Sequence, residues 1–448
     1  MLCSLQEVGR VLSLHPLRSL RRTSAVATAA ALTPMRGIDP AATAVAFVCG
    51  ALLTACAQVH ASDPAISTVN VVGTIPASVR PARAQSNARA SARVRTYYIA
   101  ADEVTWDYAP AHADLIHDQP FHYQDDPMSK GLLDPNVTSY RKVLYREYTD
   151  STFSTLKPRT ANWEHLGILG PLIRAEVGDT IRLVFRNNAS RPYSVHPHGV
   201  MYAKNAEGTS YADGTGAADK ADDAVAAGST FTYVWPVPER AGPAPGEGST
   251  AFWLYHSHVD EGRDINSGLI GPLIVTRRGM ARPDASPVDV DREVVAQFGL
   301  YDEHLSWLWD ENVRRLYGDP ARYDGANAAV HDFHHFFTIN GYFDGNGPRI
   351  TLRQGERVRW YLFANPNEEE ATDIHTAHWH GQTAIVGHMR VDMVALTPMM
   401  TAIADMVPDQ PGTWLFHCHM PGHFKAGMRT LFVVEPTGAR LGRGGPAR

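Results

Sequence analysis

The 448-residue chain has few cysteines, and their positions limit the ways in which it could be stabilised. Only Cys3, Cys49, Cys56 and Cys418 are present, and the first two precede the mature protein if the N-terminal segment is an export signal. An intramolecular disulfide outside that segment is then excluded, although exported proteins often rely on such bonds. Cys418 is left as a single thiol among histidines, which favours a metal ligand over a core residue.

The sequence also lacks the features of several other functional classes. It has no basic run, and a net charge of −6 with a pI near 6.4 gives little support for nucleic-acid binding. It has no glycine-rich nucleotide-binding loop, and its 12 methionines are scattered rather than gathered in one tract. Any redox chemistry must therefore be carried by metals.

Long hydrophobic runs are missing as well. The apolar run at residues 41–53 is too short to span a membrane and is typical of a signal-peptide core, with Met35 as a suitable start. We therefore predict that residues 1–61 are a leader and that the protein is exported to the periplasm or cell envelope. Two processing sites are open: Leu53-Thr-Ala-Cys56 resembles a lipobox that would leave Cys56 lipid-anchored, and Val59-His-Ala61 resembles an ordinary signal-peptidase site.

Histidine, by contrast, is abundant, and much of it falls in four motifs. In chain order these are His196-Pro-His198, His256-Ser-His258, His375-Thr-Ala-His378-Trp-His380, and His417-Cys418-His419 followed by His423 and Met428. One His-x-His pair arises easily by chance among 21 histidines, and a structural zinc site needs only four closed ligands. Four ordered motifs with a thiolate, imidazoles and a thioether favour a copper-selecting set of the blue electron-transfer kind.

The residues before the last motif predict how its ligands are divided. The apolar run at residues 414–416 leads into the motif as a strand, and side chains on a strand alternate between faces. We therefore expect Cys418 to point to one side and both His417 and His419 to the other. One metal is predicted on each side, with covalently adjacent residues between them.

These four motifs resemble those of multicopper oxidases in order and wording. Residues 96–110, 167–179 and 267–274 are similar to the ceruloplasmin-like branch of that family, and the likeness covers roughly residues 96–435. The resemblance implies a laccase-like oxidoreductase with four coppers per chain. It would couple one-electron oxidation of a phenol or metal ion at a blue type 1 copper to four-electron reduction of O2 to water at a trinuclear cluster. Which reducing substrate is used stays open.

The resemblance also implies a role for each ligand. The type 1 ligands would be His375, Cys418, His423 and the axial Met428, the type 2 ligands His196 and His378, and the type 3 ligands His198, His256, His258, His380, His417 and His419. Asp213, in Ala-Asp-Gly, resembles the family's acid beside the type 2 copper and is predicted to assist proton delivery. An ordinary turn aspartate before glycine is an equal alternative, and Asp260 is a second choice.

Short apolar and β-branched runs separated by Gly, Pro and Asp predict an all-β chain, with one strand at residues 337–342 and long loops at residues 203–228 and 236–249. By resemblance it would form two cupredoxin-type (plastocyanin-like) Greek-key sandwiches, joined at residues 281–287. The predicted segments are a flexible linker at 62–94, domain 1 at 95–280 with type 2 and type 3 ligands, domain 2 at 288–437 with the type 1 site and the remaining ligands, and a tail at 438–448. His331, His334 and His335 match no family ligand and are predicted to be solvated or at the core edge.

The division of ligands between the domains predicts the assembly. The trinuclear set takes four histidines from each domain, so the cluster must straddle a domain interface. Three copies of a two-domain chain would rebuild the six-domain ring of ceruloplasmin, which implies a homotrimer with intersubunit clusters. Two alternatives stay open. A copper nitrite reductase needs three catalytic histidines and keeps its blue site in domain 1, and a non-enzymatic copper-binding protein typically uses Met- or Cys-rich tracts.

Overall fold

A computed structural model of the chain describes residues 92–121, 137–323, 332–366 and 374–438. The predicted leader with Cys56, almost all of the predicted linker, His331 and the tail after residue 438 lie outside these ranges. The described part is dominated by β-strands, which confirms the predicted all-β class. None of its helices has the length and apolar content that a membrane crossing requires.

The first half of the described chain contains ten strands. They are β1 (Val94–Asp107), β2 (Ala113–Asp114), β3 (Gln119–Pro120), β4 (Ser139–Tyr148), β5 (Ile173–Glu176), β6 (Thr180–Asn187), β7 (His196–Pro197), β8 (Thr230–Pro236), β9 (Thr250–His256) and β10 (Ile270–Thr276). Apart from the short β2–β3 hairpin, they form two four-stranded sheets, in the orders β4-β1-β6-β8 and β5-β10-β9-β7. Helix α1 (Glu261–Ser267) lies between β9 and β10.

The second half contains eleven strands. They are β11 (Arg292–Asp302), β12 (His335–Ile339), β13 (Ile350–Arg353), β14 (Val358–Ala364), β15 (His375–Trp379), β16 (Ala384–Val386), β17 (Met389–Val391), β18 (Met393–Leu396), β19 (Thr401–Met406), β20 (Gly412–Cys418) and β21 (Arg429–Glu435). They form sheets in the orders β12-β11-β14-β19-β16-β17 and β13-β21-β20-β15-β18. Helix α2 (Trp309–Tyr317) follows β11, and α3 (Pro421–Lys425) follows β20.

The remaining helical turns are short 3₁₀ helices in the connections. They lie at Ala161–Leu166, Lys204–Ala206, Ala217–Asp219, Glu239–Ala241, Glu303–Leu305 and Pro320–Arg322. Three of them fall in the two segments predicted to be long loops, residues 203–228 and 236–249, which otherwise lack regular structure apart from the ends of β8.

The two halves repeat one strand arrangement. In the first, β1 runs parallel to β6 and antiparallel to β4, while β9 pairs with β10 and β7. In the second, β11 runs parallel to β14 and antiparallel to β12, while β20 pairs with β21 and β15. Two sandwiches of the predicted kind are therefore present. The predicted domain boundaries themselves stay predictions.

Three buried clusters show how these sheets pack. One lies inside the first sandwich, one inside the second, and the third contains residues of both halves. Strand β14 explains why: it is buried along its whole length, with Trp360 and Leu362 in the second cluster and Tyr361 and Phe363 in the third. Alternating side chains of one strand thus fill both the sandwich and the contact between halves.

Several predicted boundaries differ from the structure. Strand β1 begins at Val94, inside the predicted linker, and runs for 14 residues because it pairs with both β4 and β6. The strand predicted over residues 337–342 ends at Ile339, since Asn340 and Gly341 take positive φ values of 53° and 77°. The Asn340 amide holds this turn by donating to the backbone oxygen of Val295 at 2.9 Å.

Candidate metal centre

The end of β20 brings a thiol and two imidazoles together. Cys418 is the last residue of β20 and lies opposite Ala377 of β15, so its side chain faces the end of β15 where His375 begins the strand. Helix α3 carries His423, and Met428 immediately precedes β21. His375, Cys418 and Met428 are fully buried, while His423 is half-buried. The structure therefore gathers this part of the predicted ligand set at one end of the second sandwich.

The donor atoms of His375, Cys418 and His423 lie close enough together to be ligands of one metal ion. Cys418 Sγ lies 3.9 Å from His375 Nδ1 and 3.6 Å from His423 Nδ1, and the two Nδ1 atoms are 3.1 Å apart. The Thr376 N–H donates to Sγ at 3.4 Å. Burial alone would raise the pKa of the thiol, but hydrogen bonds from the two rings and from backbone N–H groups outweigh it and lower the pKa to about 6. A thiolate is the form that binds metal.

Four histidines gather on the opposite face of the same strands. His378 of β15 lies opposite His417 of β20, and His380 and His419 complete the group, with neighbouring ring centroids 4.9–5.6 Å apart. Donor atoms of His378, His380 and His417 all lie within 4.8 Å of one another. The structure thus confirms that Cys418 points away from the group that holds its two histidine neighbours.

The first half forms a matching group. His196 of β7 lies opposite His256 of β9, and His198 and His258 lie beside them, with neighbouring ring centroids 5.1–5.6 Å apart. A cleft of about 420 Å³ runs past His196 and His198. Among the described residues, the ring contacts of all eight histidines stay within their own half.

Backbone carbonyl groups fix the tautomers of these rings. A carbonyl oxygen only accepts, so Nδ1–H donates from His196 to Glu207 O at 2.7 Å and from His378 to Asp392 O at 2.9 Å. His256 and His417 donate in the same way to the carbonyl of the next residue, at 3.0 and 2.8 Å. In its neutral form each of these four rings therefore has an unprotonated Nε2, and its Nδ1 makes an outer-shell hydrogen bond of the kind that orients metal-bound histidines.

Burial also favours the neutral form of His198 and His417. It lowers the pKa of His198 to about 4, with further lowering by His196 and His258, and lowers the pKa of His417 to about 4. Each group also contains two Nε2 atoms that lie close together: those of His198 and His256 are 3.0 Å apart, and those of His380 and His417 are 3.1 Å apart. Convergent neutral imidazoles beside a thiolate fit a copper-selecting donor set, so this chemistry matches the predicted metal.

The predicted proton donor Asp213 has a different environment. Its carboxylate accepts hydrogen bonds from Thr215 Oγ1 at 2.7 Å and from Lys220 Nζ at 2.9 Å. Hydrogen bonds from Thr215 and then Lys220 hold the pKa of Asp213 far below its usual value. Asp260, the second choice, caps the first turn of α1 by accepting from the Arg263 N–H at 3.3 Å. Among the described residues neither carboxylate is hydrogen-bonded to a candidate ligand, and the role of Asp213 stays a prediction.

Two acidic residues near the first histidine group were missed by the sequence analysis. Glu261 lies 3.5 Å from His258 Nε2 and 3.8 Å from His256 Nε2. Asp264 is fully buried and accepts from Ser257 Oγ at 2.6 Å, and burial raises its pKa. In the sequence, the signal for these two residues was their position just after His256-Ser-His258. Helix α1 turns both carboxylates back towards the motif.

One of the additional histidines is placed differently from the prediction. His334 is fully buried rather than solvated or at the core edge. Its two ring nitrogens lie 2.7 Å from Tyr140 Oη and 2.7 Å from Tyr317 Oη, so a pair of tyrosines compensates its burial. His335 begins β12 and lies near Asp302.

Comparisons with known proteins agree with this geometry. Two family profiles, both described as multicopper oxidase, match residues 151–279 and 319–438, together more than half of the chain. The chain is 41% identical over 345 residues to Ferroxidase HEPHL1 of Mus musculus, 38% identical over 348 residues to hephaestin of Rattus norvegicus, and 37% identical over 351 residues to ceruloplasmin of Homo sapiens. These matches cover 76–77% of this chain but span only 29–32% of the relatives' length.

Solved structures were compared as well. A crystal structure of a multicopper oxidase aligns with a TM-score of 0.49 at 21% identity, covering 77% of this chain and 90% of that one. The blue copper oxidase of Nitrosomonas europaea aligns with a TM-score of 0.48 at 17% identity, covering 76% and 86%. The sequence matches and the two donor sets around Cys418 establish the kinship. The chain belongs to the multicopper oxidase family.

Proposed function

We propose that this chain is a laccase-like multicopper oxidase, which couples one-electron oxidation of a phenol or metal ion to four-electron reduction of O2 to water. The observation that carries the proposal is the alternation at the end of β20. Cys418 faces His375 and His423, while His417 and His419 face His378 and His380. Two donor sets with different chemistry are thereby joined by adjacent residues of one strand.

The proposed ligand roles follow the family. His375, Cys418, His423 and Met428 would hold a type 1 copper; His196 and His378 a type 2 copper; and His198, His256, His258, His380, His417 and His419 a type 3 pair. Four coppers per chain would supply one-electron oxidation at the type 1 position and dioxygen reduction at the trinuclear position.

The protein's own residues would do three things. The peptide units between Cys418 and its neighbours His417 and His419 would provide a short covalent path between the two donor sets. The carbonyl groups that accept from His Nδ1–H would keep each Nε2 aimed at its site. Asp213 would assist proton delivery, although the hydrogen bonds that lower its pKa keep it ionised near neutral pH and therefore a poor proton donor.

The identity of the reducing substrate is part of the proposal. One relative carries the name ferroxidase, which supports ferrous iron as the first metal ion to test. Phenols, Cu(I) and Mn(II) are the other members of the panel. Steady-state oxygen uptake with each donor, measured on the same purified enzyme, would rank them.

We also propose a homotrimer in which each trinuclear cluster lies between subunits. The described chain carries two four-histidine groups whose ring contacts stay within each half, and each has a ring open to solvent. His258 is 35% exposed, and His380 and His419 are exposed. A head-to-tail contact between the first half of one subunit and the second half of the next would bring the two groups together and close under threefold symmetry.

Export remains part of the proposal, with the enzyme in the periplasm or cell envelope. A lipid anchor at Cys56 would follow from processing at the lipobox, and a soluble product from processing after Ala61. Mass spectrometry of the mature N-terminus would separate the two routes.

Copper content and oxygen uptake test the proposed activity. We expect about four coppers per chain, a blue thiolate-to-copper absorption band and oxygen consumption that depends on a reducing substrate. Two coppers per chain with nitrite reduction would support a nitrite reductase instead. Bound copper without oxygen uptake for any donor would support a non-enzymatic copper-binding protein.

A further inference from the structure

A third group of metal-binding side chains lies where β11 ends and β12 begins. Asp302 is the last residue of β11 and is paired with His335, the first residue of β12. The 3₁₀ helix Glu303–Leu305 then turns His304 back towards them. One donor atom from each of Asp302, His304 and His335 lies within 4.8 Å of the other two. None of the three belongs to the copper ligand set predicted from the family.

The carboxylate at the centre of this group is buried and negatively charged. Asp302 is fully buried, and although burial raises its pKa, hydrogen bonds from His304 and His335 outweigh this and hold the pKa far below its usual value. Its Oδ1 lies 2.8 Å from His304 Nδ1 and 3.3 Å from His335 Nε2. Its Oδ2 is buried without a hydrogen-bond partner in the described part of the chain. A buried carboxylate with one oxygen that accepts no hydrogen bond is stabilised when a cation binds beside it.

The buried amine of Lys142 is already paired with another carboxylate. Lys142 Nζ lies 2.7 Å from Glu303 Oε1, and it also donates to Asn266 O at 2.5 Å. Both Lys142 and Glu303 are fully buried, so this pair compensates its own charges. The Asp302 carboxylate contacts two imidazoles, and these are metal ligands as readily as they are proton carriers.

Surrounding contacts hold the rings in place for binding. His304 Nε2 is hydrogen-bonded to Tyr323 Oη, and its ring packs against Trp309 with centroids 4.4 Å apart. This leaves His304 Nδ1 directed at Asp302. Metal-bound histidines are usually oriented in this way, by a hydrogen bond between the second ring nitrogen and a protein group.

We propose that Asp302, His304 and His335 bind a divalent first-row transition ion, with Zn(II) as the reference ion, at a site separate from the family's copper sites. Two imidazoles and one carboxylate suit this class of ion, whereas Ca(II) and Mg(II) prefer all-oxygen sites. The ion would join the end of β11, the following turn and the start of β12. The proposal goes beyond the oxidase function and does not depend on it.

The test uses the copper-loaded protein. It is incubated with excess Zn(II), desalted, and analysed for copper and zinc per chain. We expect about one zinc per chain in the wild type, retained in addition to copper. Asp302→Asn, His304→Gln and His335→Gln should each weaken zinc binding by more than the roughly 10- to 100-fold that loss of an outer-shell partner causes.

A matched control is available elsewhere in the chain. His117 Nδ1 lies 2.6 Å from Asp114 Oδ2, which is a similar Asp–His contact, but Arg429 rather than a second histidine completes it. His117→Gln should therefore retain the zinc. Unchanged copper content and near-ultraviolet circular dichroism would show that each variant is folded.

Two further measurements on the wild type do not depend on any variant. Zinc K-edge absorption should show nitrogen and oxygen neighbours only, and the Tm should rise with Zn(II) but not with Mg(II). A sulfur neighbour at about 2.3 Å would place the zinc at Cys418 instead. That result would overturn the proposal, as would absence of retained zinc or equal retention by all three site variants.

Discussion

The two halves of the molecule share a strand arrangement but differ at one chemical position. His256 and His417 lie at equivalent places, each opposite the first histidine of a His-x-His pair, so the next residues, Ser257 and Cys418, are equivalent as well. A backbone N–H donates to each: that of Ser194 to Ser257 Oγ at 3.1 Å, and that of Thr376 to Cys418 Sγ at 3.4 Å. The same pocket thus holds a hydroxyl in one half and a thiol in the other.

The surroundings of the two positions differ accordingly. Tyr193 occupies the place in the first half that His375 occupies in the second, three residues before the paired histidine. Gly262 stands five residues after Ser257, as His423 stands five after Cys418. The fold therefore supplies the framework twice, while a handful of side chains decide which half can bind a soft metal.

The largest expected effect comes from making the second half resemble the first. Cys418→Ser should abolish the blue absorption band and substrate-dependent oxygen uptake, because a hydroxyl at this position supplies no thiolate. Absorption spectra and oxygen-electrode assays on copper-loaded protein would measure both. A blue, active Cys418→Ser enzyme would refute the assignment of the thiol as a ligand.

The reverse substitution tests whether the first half can be made to resemble the second. Ser257→Cys should leave the oxidase active and produce no second thiolate-to-copper band, since Tyr193 and Gly262 provide no imidazole there. A second blue band with one more copper per chain would show that the framework alone creates such a site.

The next prediction concerns the two four-histidine groups. His198→Ala and His419→Ala should each reduce oxygen uptake to background, because each removes one ligand from the proposed trinuclear site. Refolding the two inactive chains together with copper should restore part of the activity, since some interfaces in a mixed trimer combine two intact halves. No recovery from a mixture shown to be trimeric, or an active wild-type monomer in light scattering, would argue against intersubunit clusters.

A smaller effect is expected where the halves of one chain contact each other. Lys142 of β4 and Glu303 of the second half are both fully buried, with Tyr108 Oη donating to Glu303 at 2.6 Å. Lys142→Met leaves this carboxylate buried without its cation, and should lower the free energy of unfolding by about 3–5 kcal/mol. Urea unfolding of the variant would measure the loss. The double variant with Glu303→Gln should recover much of it, and failure to do so would show that lost packing dominates.

The sequence was sufficient for the class of fold and for the way in which the side chains of the last motif divide between two faces. Alternation along residues 414–418 predicts that Cys418 and His417 face opposite sides, because this is a local property of any strand. The chain-order pattern of the four motifs likewise leads to the correct family. Both inferences depend on short-range geometry, which a sequence displays directly.

Long-range contacts were beyond that reasoning. Asp302, His304 and His335 converge because β11 and β12 pair across a gap of 32 residues in the numbering, and no motif marks them. Asp213 was predicted to assist proton delivery, but hydrogen bonds from Lys220 and Thr215 stabilise its ionised form, and they depend on a loop whose path is set by tertiary packing. The strand over residues 337–342 was predicted too long, since the turn at Asn340 is imposed by its contacts with β11.

The smallest expected effect comes from an ion pair that each half places at the start of its parallel strand pair. In the first half Asp179 precedes β6 and is largely buried, and its carboxylate accepts from Arg95 Nε at 2.5 Å. In the second half Asp291 precedes β11 and is exposed, and Arg357 binds it through two side-chain nitrogens at 3.0 and 2.6 Å. Both halves thus have an Asp–Arg ion pair at this position, but the pair is largely buried in the first half and exposed in the second.

The exposure of each ion pair should determine how much the free energy of unfolding falls when the pair is removed. Asp291→Asn should cost roughly 0.2–1 kcal/mol, because solvent screens the pair, whereas Asp179→Asn should cost about 1.5–3 kcal/mol, because it removes charged hydrogen bonds from a covered site. Hydrogen bonds from the Arg357 side chain and backbone lower the pKa of Asp291 from 3.8 to about 2. A lowered pKa stabilises the folded state above the unfolded-state value, so the difference between wild type and Asp291→Asn should be full above pH 4 and shrink as the pH falls towards 2. Urea unfolding across this range would measure it, and a difference that grows on acidification would contradict the assignment.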